Sequence, residues 1–194
     1  MPDYGPDVAL IVVDVQNDFA DPKGSLYVKG GEGIVPMVNA EIARAHGAGS
    51  PVFYTQDWHP AHTPHFQSDG GIWPSHGVGG TWGAEFYPGL EVSGEVIKKG
   101  TGGEDGYSGF TVADPATGDR SQTALAGILR EHGITRLIIA GLATDYCVKD
   151  TAIDGTTLGF ATVVLAGATR AVDLSPGDGD RALDAMAKAH VMIE

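Results

Sequence analysis

Residues 8 to 15 read "VALIVVDV", a run in which only Asp14 is polar. A strand with one face on solvent alternates apolar and polar side chains. A strand that is apolar at nearly every position must be covered on both faces, and that burial is typical of a parallel sheet with helices above and below it. The run therefore predicts a central strand of an α/β fold, with an acid where the strand gives out.

The rest of the chain alternates in the same way. Residues 33–47 predict a helix, with Ile34, Val35, Val38, Ile42 and Ala45 on one stripe. Strands are predicted at 51–56 and 95–98, with a long Gly-, Pro-, His- and Trp-rich connection over 57–94 between them. A connection of that length is often functional. A second loop covers about 100–118. Ser121, followed by Leu125, Ile128 and Leu129, predicts a helix over 121–133. Residues 135–142 form a strand, "TDYCVKDTAIDGTTLG" begins a helix, "TVVLAG" is a strand, "DGDRALDAMAKAH" is the last helix, and "VMIE" makes a short final strand. This alternation predicts a three-layer α/β/α fold with a mostly parallel central sheet. A chain of 194 residues, 42% hydrophobic, suits a single domain over residues 1–194. Ligands of such sheets bind beyond the carboxyl ends of the strands, and Asp14, Asp57, Lys99 and Cys147 all fall at or just after predicted strand ends.

The net charge of −13 removes the basic footprint that nucleic acids require and argues against an anionic membrane surface. No stretch reaches transmembrane length. The opening "MPDYGPDVALIVVDV" lacks a basic segment ahead of its apolar run, so no secretory signal is expected and the cytoplasm is the expected location. One cysteine, Cys147, excludes an internal disulfide and a multi-cysteine zinc site.

Four of the seven histidines fall within residues 59–76. Asp57 and His59 stand two apart after a strand, and His65 and His76 follow. His62 is a further candidate. Imidazoles with a carboxylate suit a divalent ion of the zinc, iron or manganese kind, whereas the bland reading is a surface loop with scattered histidines. Asp14 is either a carboxylate bonded to loop amides or a catalytic acid–base group, with Asp18 in "DVQND" competing for either role. A lone cysteine is commonly a small buried apolar residue. In "GLATDYCV", however, Thr144 as N-cap would put Cys147 at the third helical position, where the helix terminus would favour thiolate and the backbone N–H could face an oxyanion. Lys99, or its neighbour Lys98, would supply a cation, since only one of the two can face the site from a strand.

The ordered set "IVVDVQNDF", "YTQDWHP", "WPSH", "VIKKG" and "GLATDYCV" resembles the nicotinamidase branch of the isochorismatase-like cysteine hydrolases. The resemblance implies that Asp14, Lys99 and Cys147 form a catalytic triad, and that Asp57, His59, His65 and His76 bind one divalent metal ion, zinc first, with iron or manganese as alternatives. His62 falls outside the pattern. Phe19, Trp73 and Tyr107 correspond to aromatic residues lining a ring pocket. The Leu142–Ala143 bond corresponds to a cis peptide that turns the N–H groups of Ala143 and Cys147 toward an oxyanion. The implied activity is hydrolysis of nicotinamide to nicotinate and ammonia, with pyrazinamide as a side substrate. A homo-oligomer is one assembly open to the family. Gly77 departs from the pattern, standing where relatives often have cysteine. Within the same fold the rivals are a hydrolase of another carboxamide or ureido compound, a group many of whose members lack the metal set, and a vinyl-ether hydrolase, which needs no thiol. A non-catalytic scaffold would need neither triad nor metal set.

Overall fold

Every residue of β1 (Val8–Val13) is buried. Its side chains divide between two cores, with Val8, Leu10 and Val12 on one face of the sheet and Ala9, Ile11 and Val13 on the other. This two-sided burial is the physical cause of the uninterrupted apolar run.

The computed structural model describes residues 3–194. After β1 come a single turn α1 (Asn17–Ala20) and, behind a short 3₁₀ turn, α2 (Val35–Gly47), with Pro36 in its first turn where its missing N–H costs nothing. The chain continues through β2 (Val52–Asp57), β3 (Glu95–Lys99), β4 (Thr111–Ala113), β5 (Arg120–Gln122), α3 (Leu125–Glu131), β6 (Arg136–Leu142), α4 (Lys149–Thr157), β7 (Ala161–Arg170), α5 (Asp178–Lys188) and β8 (Met192–Ile193). Six strands make one sheet in the order β3-β2-β1-β6-β7-β8, and every pair in it is parallel. The α2 residues Val38, Ile42 and Ala45 pack on one face. Leu125 and Leu129 of α3, Ala152 of α4 and Met186 of α5 pack on the other. The three-layer architecture expected from the sequence is the one observed.

The strand order has a consequence for function. From β1 the chain winds outward to β2 and β3, then returns to β6 on the other side of β1. Connections therefore leave β1 and β6 in opposite directions, and a crevice opens at their carboxyl ends, the place where ligands bind in such sheets.

Several boundaries differ from the expectation. Strand β1 stops at Val13 because Asp14 adopts a left-handed conformation, φ 47°, which ends the pleat two residues early. No helix begins at Ser121. Ser121 lies opposite Val112 in the antiparallel pair β4–β5, and the helix starts four residues later. The hydroxyl serving that start belongs to Thr123, which accepts from the Leu125 N–H at 3.2 Å and donates to the Gly109 carbonyl at 2.6 Å. Strand β7 is longer than expected because it continues past a register shift opposite Ile139–Gly141. The long connection 57–94 is cross-pinned, with bridges His59–Val78, Phe66–Trp73 and Gln16–Phe86.

The corrected helix start predicts that Thr123→Ala lowers stability by about 1 kcal/mol, the usual worth of a cap, or roughly 2–4 °C in melting temperature for a chain of this size. Ser121→Ala leaves the melting temperature unchanged. Thermal denaturation of both variants by circular dichroism checks this.

Candidate active site

Three adjacent strands deliver the first cluster. Asp14 follows β1, Asp57 ends β2 and Lys99 ends β3. The β2–β3 register sets Asp57 opposite Lys99, and the β1–β2 register sets Thr55 opposite Val13, one residue from Asp14. Alternation along β3 turns Lys99 inward and leaves Lys98 exposed, where the Lys98 ammonium lies 3.4 Å from the centroid of the Trp58 ring. Lys99 is 1% exposed. Its ammonium pairs with Asp14 Oδ2 at 2.8 Å and with Asp57 Oδ1, and donates to the Gly106 carbonyl. Cys147 Sγ lies 3.8 Å from the same ammonium.

Cys147 arrives from the far side of the crevice, after β6. The chain enters α4 through a π-helical turn, Thr144–Val148, capped by Ala143 in an extended conformation. The Val148 N–H reaches back five residues to the Ala143 carbonyl at 3.1 Å. Cys147 is thus the fourth residue of a π turn, not the third of an α-helix capped by Thr144. The Thr144 hydroxyl is engaged elsewhere, 2.5 Å from that of Thr169. Single π turns of this kind concentrate at functional sites. The Leu142–Ala143 peptide bond is cis.

The electrostatics of the cluster follow from its dryness. Burial pushes the Asp14 carboxyl up to about 6, against the pull of Lys99 and of the Thr55 hydroxyl, which donates to Asp14 Oδ1 at 2.6 Å. Burial likewise pushes the Cys147 thiol well above its ordinary value, opposed by Lys99 and reinforced by Asp14. Desolvation thus works against the thiolate that a position at a helix start would favour. For Lys99, burial would lower the pKa, but the two carboxylates outweigh it and hold the ammonium firmly protonated. Asp57 is held below the usual carboxylate range despite its burial, chiefly by the Lys99 ammonium.

The second cluster shares Asp57. Its Oδ2 lies 3.9 Å from His59 Nε2 and 3.8 Å from His76 Nε2. His59, His65 and His76 are buried, and one ring nitrogen of each comes within 4.8 Å of the others. His76 donates through Nδ1 to the Pro74 carbonyl at 2.7 Å, and His65 through Nδ1 to Asp105 Oδ1 at 2.5 Å, which leaves both Nε2 lone pairs directed elsewhere. Neither nitrogen of His59 has a hydrogen-bond partner. Burial lowers His59 to about 4 and lowers His76 as well, which favours the neutral form a metal ligand must take. An orphaned buried imidazole is costly, and a divalent cation would satisfy it. Three imidazoles and a charged carboxylate fit such an ion. His62 is 85% exposed at its side chain and stands apart.

Phe19, Trp73 and Tyr107 wall one cavity, whose boundary also includes Asp14, Asp57, His65, His76, Ala143 and Cys147. Lys99 and His59 lie behind this wall. The Trp73 Nε1–H donates to the Tyr107 hydroxyl at 2.7 Å, which fixes the two side chains relative to one another. Asp18 takes no part in the chemistry, since its carboxylate accepts from the N–H groups of Ser25 and Gly77. Gly77 adopts φ 54°, and a Cβ there would come 2.8 Å from the Cβ of Asp57, so glycine at this position leaves the Asp57 side chain its room.

Four contributors escaped the sequence reading. Thr55 bonds Asp14. Gln16 fastens Asp57, its amide donating to the Asp57 carbonyl at 2.9 Å and its oxygen accepting from the Asp57 N–H at 2.8 Å. Tyr146 stands edge-on to Trp73, ring centroids 4.9 Å apart. Asp105 holds His65. Only Tyr146, an aromatic beside the cysteine, carried a usable signal; Asp105 reads as one more surface acid.

The family model of the isochorismatase domain matches residues 8–193. The chain belongs to the isochorismatase family. Its similarity to members of that family extends over nearly the whole length. A nicotinamidase from Escherichia coli (strain K12) is 36% identical, over 95% of this chain and 92% of the relative. Among solved members of the fold, a pyrazinamidase of Pyrococcus horikoshii in complex with zinc aligns with a TM-score of 0.87 at 39% identity, covering 97% of this chain and 99% of that one. A protein from L. infantum in complex with nicotinate aligns with a TM-score of 0.89 at 34% identity, covering 98% and 94%.

The two faces of β3 predict opposite results for its two lysines. Lys99→Ala removes the cation that opposes the burial of the thiol, so the profile of iodoacetamide alkylation rate against pH shifts to higher pH. Lys98→Ala, equal in charge change, leaves it in place. A shifted profile for Lys98→Ala alone would assign the wrong lysine to the site.

Proposed function

We propose that this protein is a nicotinamidase, hydrolysing nicotinamide to nicotinate and ammonia through a thioester on Cys147, and accepting pyrazinamide as a ring analogue. The observation that carries this reading is the meeting, at one aromatic-walled cavity, of the Asp14–Lys99–Cys147 cluster with the histidine cluster. A carboxamide hydrolase of a neutral aromatic ring needs a nucleophile at the carbonyl and a flat, partly apolar slot for the ring. The relatives named nicotinamidase and pyrazinamidase, and the one solved with nicotinate, support the same substrate class.

Phe19, Trp73 and Tyr107 would hold the ring with its carboxamide over Cys147. Asp14 takes the thiol proton as Sγ attacks the carbonyl carbon, and the backbone N–H groups of Ala143 and Cys147 donate to the resulting oxyanion. The C–N bond then breaks, the proton on Asp14 passes to the leaving nitrogen, and ammonia departs. Asp14, again a carboxylate, takes a proton from water as the water oxygen attacks the thioester. Release of the acid returns the proton to Sγ. Through both halves Lys99 stabilises the negative charge that moves between Asp14 and Sγ. Asp57, His59, His65 and His76 would hold one divalent ion, for which zinc is the reading best matched by this donor set, with iron and manganese also accepted by it. When bound, the ion supplies a Lewis acid at the cavity wall to which a pyridine nitrogen can bind.

Cys147→Ala is expected to fold and to lose nearly all ammonia release from nicotinamide. Retention of more than about a tenth of the wild-type rate would remove the nucleophile assignment, since covalent catalysis has no path without the thiol.

The raised carboxyl of Asp14 sets a pH dependence. Asp14 must be ionised to accept the thiol proton, and its ionised fraction falls as pH drops through about 6. kcat/KM therefore declines on the acid side with a midpoint near that pH, roughly tenfold per pH unit below it. Thr55→Val deletes a hydrogen bond that favours the charged form and moves the limb to higher pH. An acid limb centred near 4 in the wild type, or one unmoved by Thr55→Val, would show that another group governs the step.

A further inference from the structure

We propose that Asp105 is the positioning residue that decides which nitrogen of His65 faces the metal-ligand cluster. The inference deepens the proposed metal site and rests on that reading. A neutral imidazole carries one N–H, and the nitrogen that can ligate is whichever one lacks it. At His65 the buried Nδ1 lies 2.5 Å from Asp105 Oδ1. A carboxylate accepts and does not donate, so Nδ1 holds the hydrogen and the Nε2 lone pair is left free. The three histidines differ here. His76 is oriented by a neutral carbonyl, His59 by no hydrogen bond at all, and His65 alone, among the described residues, by a carboxylate.

Asp105 is itself held in place. Its N–H donates to the Ala113 carbonyl at 2.7 Å, and its carbonyl accepts from the Ala113 N–H at 3.0 Å, which ties the loop to β4. The next two residues serve the other subsites. The Gly106 carbonyl accepts from the Lys99 ammonium, and the Tyr107 hydroxyl accepts from Trp73. Three consecutive residues thus set a ligand histidine, the catalytic lysine and the ring pocket, and Asp105 is the one of them that acts through its carboxylate.

The test uses the full chain, freed of metal and titrated with zinc against a chromophoric chelator, together with ¹⁵N spectra of the histidine rings. Expected for the wild type are zinc binding and a His65 ring protonated at Nδ1. Asp105→Ala should weaken zinc by about 10–100-fold, the usual loss when an outer partner of a ligand is removed, and should give a mixture of His65 tautomers. Asp105→Asn, whose side-chain oxygen can still accept, should keep the Nδ1–H form and recover most of the affinity. Melting temperatures of the metal-free proteins separate this from general destabilisation. An Ala variant that binds zinc within about twofold of wild type, with His65 still protonated only at Nδ1, overturns the role of Asp105 and leaves the metal site standing. An Asn variant with scrambled tautomers and zinc binding weakened about tenfold or more against wild type overturns it as well, and decides the matter even if Asp105→Ala does not fold. A wild-type protein that binds no zinc overturns the metal reading, and the role of Asp105 with it.

Discussion

The site is organised around one buried cation. The Lys99 ammonium has left water entirely and touches two carboxylates, Asp14 and Asp57, and the Gly106 carbonyl. Desolvating an ammonium and two carboxylates costs several kcal/mol per ion, so the three charges are tolerable only together. The arrangement carries one more negative than positive charge, and burial, with the neighbouring Asp57 charge adding to it, raises the Asp14 carboxyl to about 6 while Asp57 is held below its ordinary range. The same imbalance divides the labour. Asp57, held charged, suits a ligand. Asp14, poised to exchange a proton near neutrality, suits a general acid and base.

Sheet geometry makes this cluster possible. Neighbouring parallel strands lie about 4.8 Å apart, so charges on three adjacent strand ends meet without any long loop to order. Asp57 and Lys99 are register partners on β2 and β3, and Asp14 follows β1 on the next strand over. Cys147 completes the set from β6, across the crevice at which the winding direction reverses. Asp57 also turns its second oxygen toward the histidines, so the lysine cluster and the histidine cluster are joined through one carboxylate.

The long connection is kept in place by buried polar side chains, not by regular structure. Gln16 ties Asp57 to the Ala84 carbonyl, and Asp18 ties the N–H groups of Ser25 and Gly77. Asp145, the second residue of the Thr144–Val148 turn, accepts from the N–H groups of Val172 and Asp173 at 2.9 Å each, and so holds Val172 at the cavity wall. Such bonds are strong in a dry interior and expensive to leave unmade, which makes an irregular wall a stable one.

Much of this was determined by the sequence alone. The unbroken apolar runs at residues 8–13 and 137–142 require two covered faces, and hence a parallel sheet between helices. Period-two alternation on β3 requires that Lys98 and Lys99 face opposite ways. The ordered motifs around Asp14, Asp57, Lys99 and Cys147 led to the family and to the substrate class by resemblance, and their place at strand ends put them at one edge of the sheet. The tertiary structure decided what depends on distance across the chain. It gave Thr55 to Asp14 and Asp105 to His65, partners 41 and 40 residues apart, and no local pattern marks either. It replaced the helix expected at Ser121 with a strand, because Thr111–Ala113 was there to pair with it. It also set desolvation against the expected ease of ionising Cys147. Position at a helix start is a local property that sequence can suggest, but burial is set by everything packed around the thiol, and in this crevice desolvation pushes the thiol up.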